Sequence, residues 1–493
     1  NINYIKKIGG NYMYESFAKL TNFLWGIPLL AVIAITGAYF TIRTKGFQFR
    51  YLGYIIKSPF RKDDYEDKNK LTPFQAVSIA IGGTVGVSNI SGVATAIATG
   101  GPGAVFWLWV AAFLGMSIKM VEVTLAVYYR TTKADGTFKG GPTYYIEKAL
   151  GEERKLGIWK LLAIIFGGGL FVVYIITIQN YTISEAVGST FNISYIIPSA
   201  AVAICAYAII LGGLKKVGII ASYLVPVMCI FYVGCSLFII ISNLSALPGV
   251  FAMIFKSAFT ARAASGGFLG ATVATAMRYG FARSVFSNEA GWGTSPMIHA
   301  TASTNHPIKQ GLLGAFEVFM DTIVVCTMTA IVVMITGFWD SGMTGANLTL
   351  TAFESVMGYG ARVAVALSIF LFGLTTITGW YTYFEVLVDH ALPDELNSKK
   401  RLLFLLRVFY PIPGFIIVLI TVFYGGTPAQ IWTFADFTTV IPTFINVFLL
   451  LVIGKKFLEL LDDYKARYLG IGKVDPNFKL FYEDTTKTSS KVR

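Results

Sequence analysis

The chain has 493 residues, 55% of them hydrophobic and only 14% charged, with a mean hydropathy of +0.63. That balance excludes an ordinary soluble domain and assigns the chain to a bilayer. The formal net charge of +13 does not point to nucleic acid, because the basic residues fall in short loops between apolar runs instead of along one amphipathic face.

Apolar runs of about 20 residues recur along nearly the whole chain, and lipid admits only helices or closed barrels across it. The runs are too long and continuous for alternating barrel strands, so an all-α polytopic membrane protein is expected. Cys205, Cys229, Cys235 and Cys326 lie within apolar runs with no C-x-x-C pair, and the histidines are His299, His306 and His390. Neither a metal cage nor a disulfide framework is indicated.

In chain order, a leading span near 22–42 is followed by ten more, near 72–98, 102–129, 160–188, 195–213, 217–242, 264–287, 311–337, 363–389, 402–423 and 431–454. About eleven transmembrane helices result. The leading run is too long for a signal peptide and lacks a small-residue cleavage site, so it reads as a retained span. Most Lys and Arg lie in Arg43 to Lys70, Arg130 to Lys160, Lys215–Lys216, Lys399 to Arg401 and the tail from Lys455, all on one side by counting spans. Loops on the other side, such as Ser189 to Ser194, carry none. The basic side is expected to be cytoplasmic, which puts the N-terminus outside and the C-terminus inside a plasma (inner) membrane. The organisation expected is one integral membrane domain: an N-terminal span and loop (1–70), two five-helix repeats (71–242 and 243–454) and a cytoplasmic tail (455–493). SNEAGWGTSPMIHATASTNHP, Ser287 to Pro307, is too polar to span and is expected to form a short helix on the cytoplasmic surface.

IGGTVGVSNISG, Ile81 to Gly92, is a poor piece of helix in the middle of the second span. A break in hydrocarbon is expensive unless the freed N–H and C=O groups line a cavity or bind something. A second interruption, SGGFLGATVATA from Ser265 to Ala276, opens the sixth of the ten later spans. Matched breaks in two five-helix halves are the mark of an inverted-repeat transporter with its site at the breaks. Half-helix N-termini suit a carboxylate, and exposed carbonyls suit an ammonium group or Na⁺. The competing reading is tight helix packing, for which Gly82-x-x-x-Gly86 has the spacing.

GGPGAVFWLWVAAFLG, Gly100 to Gly115, and FSNEAGWGTSP, Phe286 to Pro296, are long and chemically unusual stretches. They resemble signatures of the sodium:alanine (alanine or glycine:cation) symporter family, and the similarity runs from about Thr72 to Gly454. The resemblance implies a leucine-transporter-type fold of five plus five inverted-repeat helices with one extra N-terminal span. It also implies a secondary active transporter, not an enzyme, that uses Na⁺ as coupling ion to import small neutral amino acids, alanine and/or glycine, by alternating access. Carried over by position, the carbonyls of Gly82 and Val85 and the hydroxyls of Thr375 and Thr376 form a sodium site of oxygen ligands. The plainer reading of those threonines is a hydrogen bond back to their own helix. The family pattern gives the substrate carboxylate to the N–H groups of Val87 and Ser88, and the amine to the Thr84 carbonyl and to carbonyls near Ser265, Gly266 and Gly267. Gly86, Asn89, Gln179, Phe268 and Trp380 complete the lining; Gln179 as an interhelical hydrogen bonder and Trp380 as packing are the alternatives.

Three departures from the family pattern bear on substrate preference. Gly86-Val87-Ser88-Asn89 stands where the family usually reads Gly-Thr-Gly-Asn, Ile175 and Ile176 stand where it often has Gly-Asn, and Tyr181 where it often has Asn. Among charged residues within spans, Lys119 and Glu122 have the spacing to pair, and Glu317 and Asp321 need a partner elsewhere or a proton. Arg278, Arg283 and Glu289 are expected near the cytoplasmic end as gate or anchor residues. The alternatives are proton coupling through Glu317, Asp321 or Asp436, a channel, and a non-transporting amino-acid sensor. Expected partners are a small neutral amino acid, sodium and the lipid bilayer.

Overall fold

Inside a bilayer every backbone N–H and C=O needs an internal partner, and the helix supplies one to each. The computed structural model describes residues 15–61, 70–175, 178–260, 272–393, 396–425 and 428–484, and these are helical almost throughout. Seven helices among them are long and apolar enough to cross a membrane, and an eighth crossing is a pair bent by 47°. The expected eleven is not reached by length alone. Trp159–Val173 and Ile196–Ile210 are apolar but shorter, and residues 264–271 of the expected seventh span lie outside the described residues.

Helix α1 (Ile27–Arg43) ends the apolar stretch from Glu15 to Arg43. Two sets of elements follow. The first comprises the broken pair α2 (Pro73–Thr84) and α3 (Val93–Gly100), then α4 (Gly103–Tyr128), α5 (Trp159–Ile175) with α6 (Gln179–Phe191), α7 (Ile196–Ile210) and α8 (Gly213–Ser242). A short helix, α9 (Leu247–Phe259), leads to the second set. This comprises α10 (Val273–Asn288), α11 (Pro307–Val318) continued through a widened stretch into α12 (Thr327–Thr336), then, after α13 (Gly345–Met357), α14 (Tyr359–Ala391), α15 (Asn397–Phe409) with α16 (Ile412–Tyr424), and α17 (Pro428–Leu469).

The packing of the two sets is reciprocal. The second element of each packs on the other (α4 on α11), and so does the third (α6 on α14). The third of the first set meets the fifth of the second (α5 on α17), as the third of the second meets the fifth of the first (α14 on α8). Likewise α7 packs on α14 and α16 on α6. Such pairwise exchange is what a two-fold repeat produces. Close approach is enforced by glycine: a Cβ on Gly280 of α10 would lie 2.3 Å from the Ala104 carbonyl of α4.

Two expectations are corrected. The Ser287 to Pro307 segment is not a surface helix; its one short helix is Pro296–His299, and all but one of its residues are buried. Its polar groups find partners inside, among them Lys119, which donates to the Glu289 carbonyl at 3.1 Å and to the Ser295 hydroxyl at 2.9 Å. Arg278 and Arg283 also lie away from the end that Glu289 occupies, Arg278 toward the start of α10 and Arg283 between it and Ser287. Tyr279 packs on Gly100 at the end of α3, Arg278 donates to Asn22 just before α1, and Arg283 pairs at 2.6 Å with Asp436 near the start of α17. A helix that starts at Val273 reaches Arg283 after about 15 Å, half a bilayer.

The chain beyond α17 folds back on the bundle. Glu483 accepts from the Thr132 N–H and hydroxyl at 2.7 Å each, beside the two-residue strands β1 (Thr131–Thr132) and β2 (Phe138–Lys139). The Arg130 guanidinium lies between the Phe138 and Phe481 rings and donates to the Ala302 carbonyl at 2.8 Å. Ala302 bridges to Leu71, just before α2. The last segment is therefore tied to the start of the broken helix through one arginine. Glu483→Ala removes both hydrogen bonds to Thr132, so trypsin is expected to cut at the exposed Lys479 several-fold faster in the variant than in the native chain. Equal cleavage rates would show that these bonds do not hold the segment.

Candidate functional site

Helix α2 starts well and ends abruptly. Pro73 occupies its first turn, and Thr72 and Gln75 form a reciprocal capping box. After Thr84 the backbone turns extended at Val85 (φ −72°, ψ 91°), and helix resumes through the widened turn Ser88–Gly92. A helix that stops in hydrocarbon leaves carbonyls without partners. Three find them: Ile81 O accepts from Val85 N at 2.7 Å, Gly82 O from the Thr376 hydroxyl at 3.1 Å, and Gly83 O from the Trp380 indole at 3.2 Å. Two of the three donors are side chains of α14, so that helix caps the break.

The resumption is capped from elsewhere. Asn89 Oδ1 accepts from the Gly86 N–H at 2.8 Å, and Asn89 Nδ2 donates to Asp321 Oδ1 at 2.6 Å. Asp321 also accepts from the Ser287 hydroxyl at 3.2 Å and the Thr322 hydroxyl at 2.7 Å. One buried carboxylate thus joins the break to α10 and to the widened stretch between α11 and α12. Sequence reasoning named Asn89 and Asp321 separately; the pairing of residues 232 positions apart left no local signal.

The packing reading of the glycines is seen directly. Thr375 and Thr376 each donate to the Phe372 carbonyl of their own helix, at 2.8 and 3.0 Å, and Thr376 additionally reaches Gly82 O. A Cβ on Gly86 would lie 2.5 Å from Thr376 Oγ1, and one on Gly379 would lie 3.3 Å from the Gly83 Cα. The glycines let α14 approach closely, and that approach is what delivers the capping groups. Thr84 bonds back to Ala80 O at 3.1 Å, while Val87, Ser88 and Gln179 are buried, Gln179 as the first residue of α6. Ser265, Gly266, Gly267 and Phe268 lie outside the described residues, as does most of the second break; α10 begins at Val273 with the Thr272 hydroxyl accepting from Thr275 N at 3.1 Å.

Beyond Ser88, toward the Gly100 end, lies a cavity of about 370 Å³ whose wall includes Ser91, Thr95, Tyr181, Glu185 and the Arg283–Asp436 pair. Tyr181, one of the departures from the family pattern, therefore faces this cavity. Glu185 was missed, because a single acid on an otherwise ordinary helix carries no pattern.

On the other side of Trp380 is a buried polar network. The Trp380 indole lies 2.8 Å from Glu289 Oε1, and the Glu289 carboxylate also accepts from the Thr294 hydroxyl. The spacing of Lys119 and Glu122 does not bring them into a direct salt bridge. Lys119 faces Glu317 at 3.6 Å, and Glu122 accepts from Asn446 of α17. Glu317 accepts from Ser295 and meets His299, both at 3.1 Å. Glu317 and Asp321 thus each find partners elsewhere, as their like charge requires.

A family model described as the sodium:alanine symporter family matches residues 11–479. The chain belongs to the sodium:alanine symporter family. It is accordingly a multi-pass membrane transporter of the amino-acid symporter type and not an enzyme. Among relatives, an uncharacterized transporter of Bacillus subtilis is 36% identical over 90% of this chain and 92% of its own length. The sodium/alanine symporter AgcS of Methanococcus maripaludis is 37% identical over 80% and 88%. The probable sodium/glutamine symporter GlnT of Bacillus subtilis is 35% identical over 95% and 93%.

If close approach at the break is needed, Gly86→Ala overpacks it against the Thr376 hydroxyl. A loss of about 1–3 kcal/mol is expected, read as a lower unfolding temperature in detergent. Adding Thr376→Ala removes the clashing oxygen and is expected to restore part of the loss; strictly additive effects would place the strain elsewhere.

Proposed function

We propose that this chain is a sodium-coupled symporter that imports small neutral amino acids, alanine and/or glycine, by alternating access. The observation that carries the reading is the capping of the broken helix by α14: Thr376 meets the Gly82 carbonyl at 3.1 Å, between an interrupted helix and a continuous one. A hydroxyl can donate or turn to accept. When Na⁺ arrives, Thr375 and Thr376 turn lone pairs toward it and the Gly82 and Val85 carbonyls complete an oxygen-only set, with the negative end of α2 adding its dipole. The N–H groups of Val87 and Ser88 take the substrate carboxylate, and the Thr84 carbonyl with those near Ser265 to Gly267 takes the amine. Gly86, Asn89, Gln179, Phe268 and Trp380 line the site.

In this reading the 370 Å³ cavity opens outside and Arg283–Asp436 lies across its inner end. The N-terminus lies outside the inner membrane and the C-terminus in the cytoplasm, and the repeats divide as 71–242 and 243–454. Relatives named for alanine and for glutamine differ in substrate, so side-chain size at the site decides which amino acid is carried. Tyr181, bulkier than Asn, reduces the room and favours the smaller ones.

Proton coupling is the second reading, favoured by the placement of Asp321 on the Asn89 cap. A relative from Bacillus subtilis, 36% identical, is named a putative sodium/proton-dependent alanine carrier. Uptake of labelled alanine and glycine into liposomes separates the two. An inward Na⁺ gradient is expected to give transient accumulation above equilibrium, absent with K⁺ alone; accumulation that follows a pH gradient and ignores Na⁺ selects proton coupling. Thr376→Ala is expected to raise the Na⁺ concentration for half-maximal uptake on the order of tenfold, the factor for about 1.4 kcal/mol of lost ligation. Unchanged Na⁺ dependence in a folded variant removes Thr376 from the site.

A further inference from the structure

We propose that Glu289 is a positioning residue that tunes cation binding at the break, by competing for the single hydrogen that caps the Gly83 carbonyl. The inference rests on the sodium reading above. An indole has one N–H, and that of Trp380 has two acceptors: Glu289 Oε1 at 2.8 Å and Gly83 O at 3.2 Å. The Glu289 oxygen is the nearer of the two acceptors, and a hydrogen shared between two acceptors favours the shorter contact. The hydrogen therefore lies chiefly on Glu289, and Gly83 O is left partly satisfied.

That carbonyl sits beside Gly82 O at the negative end of α2, where a cation is drawn. A carbonyl already holding a full hydrogen bond has less to give a cation than one that does not. The Tyr383 hydroxyl adds to the deficit: it is buried, lacks a hydrogen-bond partner among the described residues, and lies 2.5 Å from where a Gly83 Cβ would be. The break thus faces a polar oxygen that no described protein group satisfies.

Glu289 is held independently of the break. It terminates α10 in a left-handed turn (φ 53°), its second oxygen takes the Thr294 hydroxyl, and its backbone carbonyl accepts from Lys119 at 3.1 Å. Its carboxylate consequently stays on the indole whatever occupies the break.

The test is Na⁺ titration of the thermal unfolding of the purified full chain, against K⁺ at constant ionic strength. In Glu289→Leu the indole commits wholly to Gly83, and the Na⁺ concentration for half-maximal stabilisation is expected to rise on the order of fivefold, the worth of one ordinary hydrogen bond. Glu289→Gln keeps an acceptor oxygen and stays within about twofold of the native chain. Trp380→Phe removes the donor and needs no more Na⁺ than the native chain, and Glu289→Leu combined with Trp380→Phe returns to that value. A Glu289→Leu shift that persists without the indole overturns the proposal. If Glu289→Leu does not fold, Trp380→Phe alone decides, because a raised Na⁺ requirement there overturns it too. A native chain indifferent to Na⁺ overturns the sodium reading and this proposal together, and that result is read before any variant is made.

Discussion

A helix that stops in the middle of hydrocarbon must still give its last carbonyls something to bond to. Each one left unsatisfied costs several kcal/mol, and the end of α2 is the place where that constraint acts. Its carbonyls are met by Thr376 and Trp380 of α14, whose side chains arrive only because Gly83, Gly86 and Gly379 let the two helices nearly touch. Packing and capping are one arrangement: the small residues bring the donors, and the donors make the break tolerable. Because these donors are side chains that can rotate, the same carbonyls remain exchangeable, which backbone helix bonds are not.

The reciprocal packing of the two sets places this break against the rest of the bundle. Element α14 touches α2, α6, α7 and α8, so a small rearrangement at the Thr376–Gly82 contact is felt by elements of the first set on several sides. Asn89 and Asp321 perform the matching task on the far side of the break, tying it to the second element of the second set. Opposed ties on the two half-helices suit alternating access, since either can loosen while the other holds.

Much of this was legible in the sequence. The apolar runs gave the all-helical membrane class, and the crowding of Gly, Ser and Asn at Ile81 to Gly92 marked the break to within a few residues. Thr375 and Thr376 were singled out only through the family resemblance, and the structure shows their plainer role, since both bond to Phe372 O. Polarity misled at Ser287 to Pro307, where charge and glycine read as surface and the segment is buried. Lys119 and Glu317 satisfy it from other helices, and no local window contains those partners.

Composition and periodicity by themselves determined that the chain is a bundle of membrane helices and that one of them is interrupted, because both follow from the solvation of backbone and side chains within a few turns. Which groups meet at the interruption was decided by the tertiary structure alone. Thr376 on Gly82, Trp380 shared between Gly83 and Glu289, and Asn89 on Asp321 join residues 294, 297, 91 and 232 positions apart. A hydrogen bond depends on position to within a few tenths of an ångström, and over such separations only the packed fold sets position that finely.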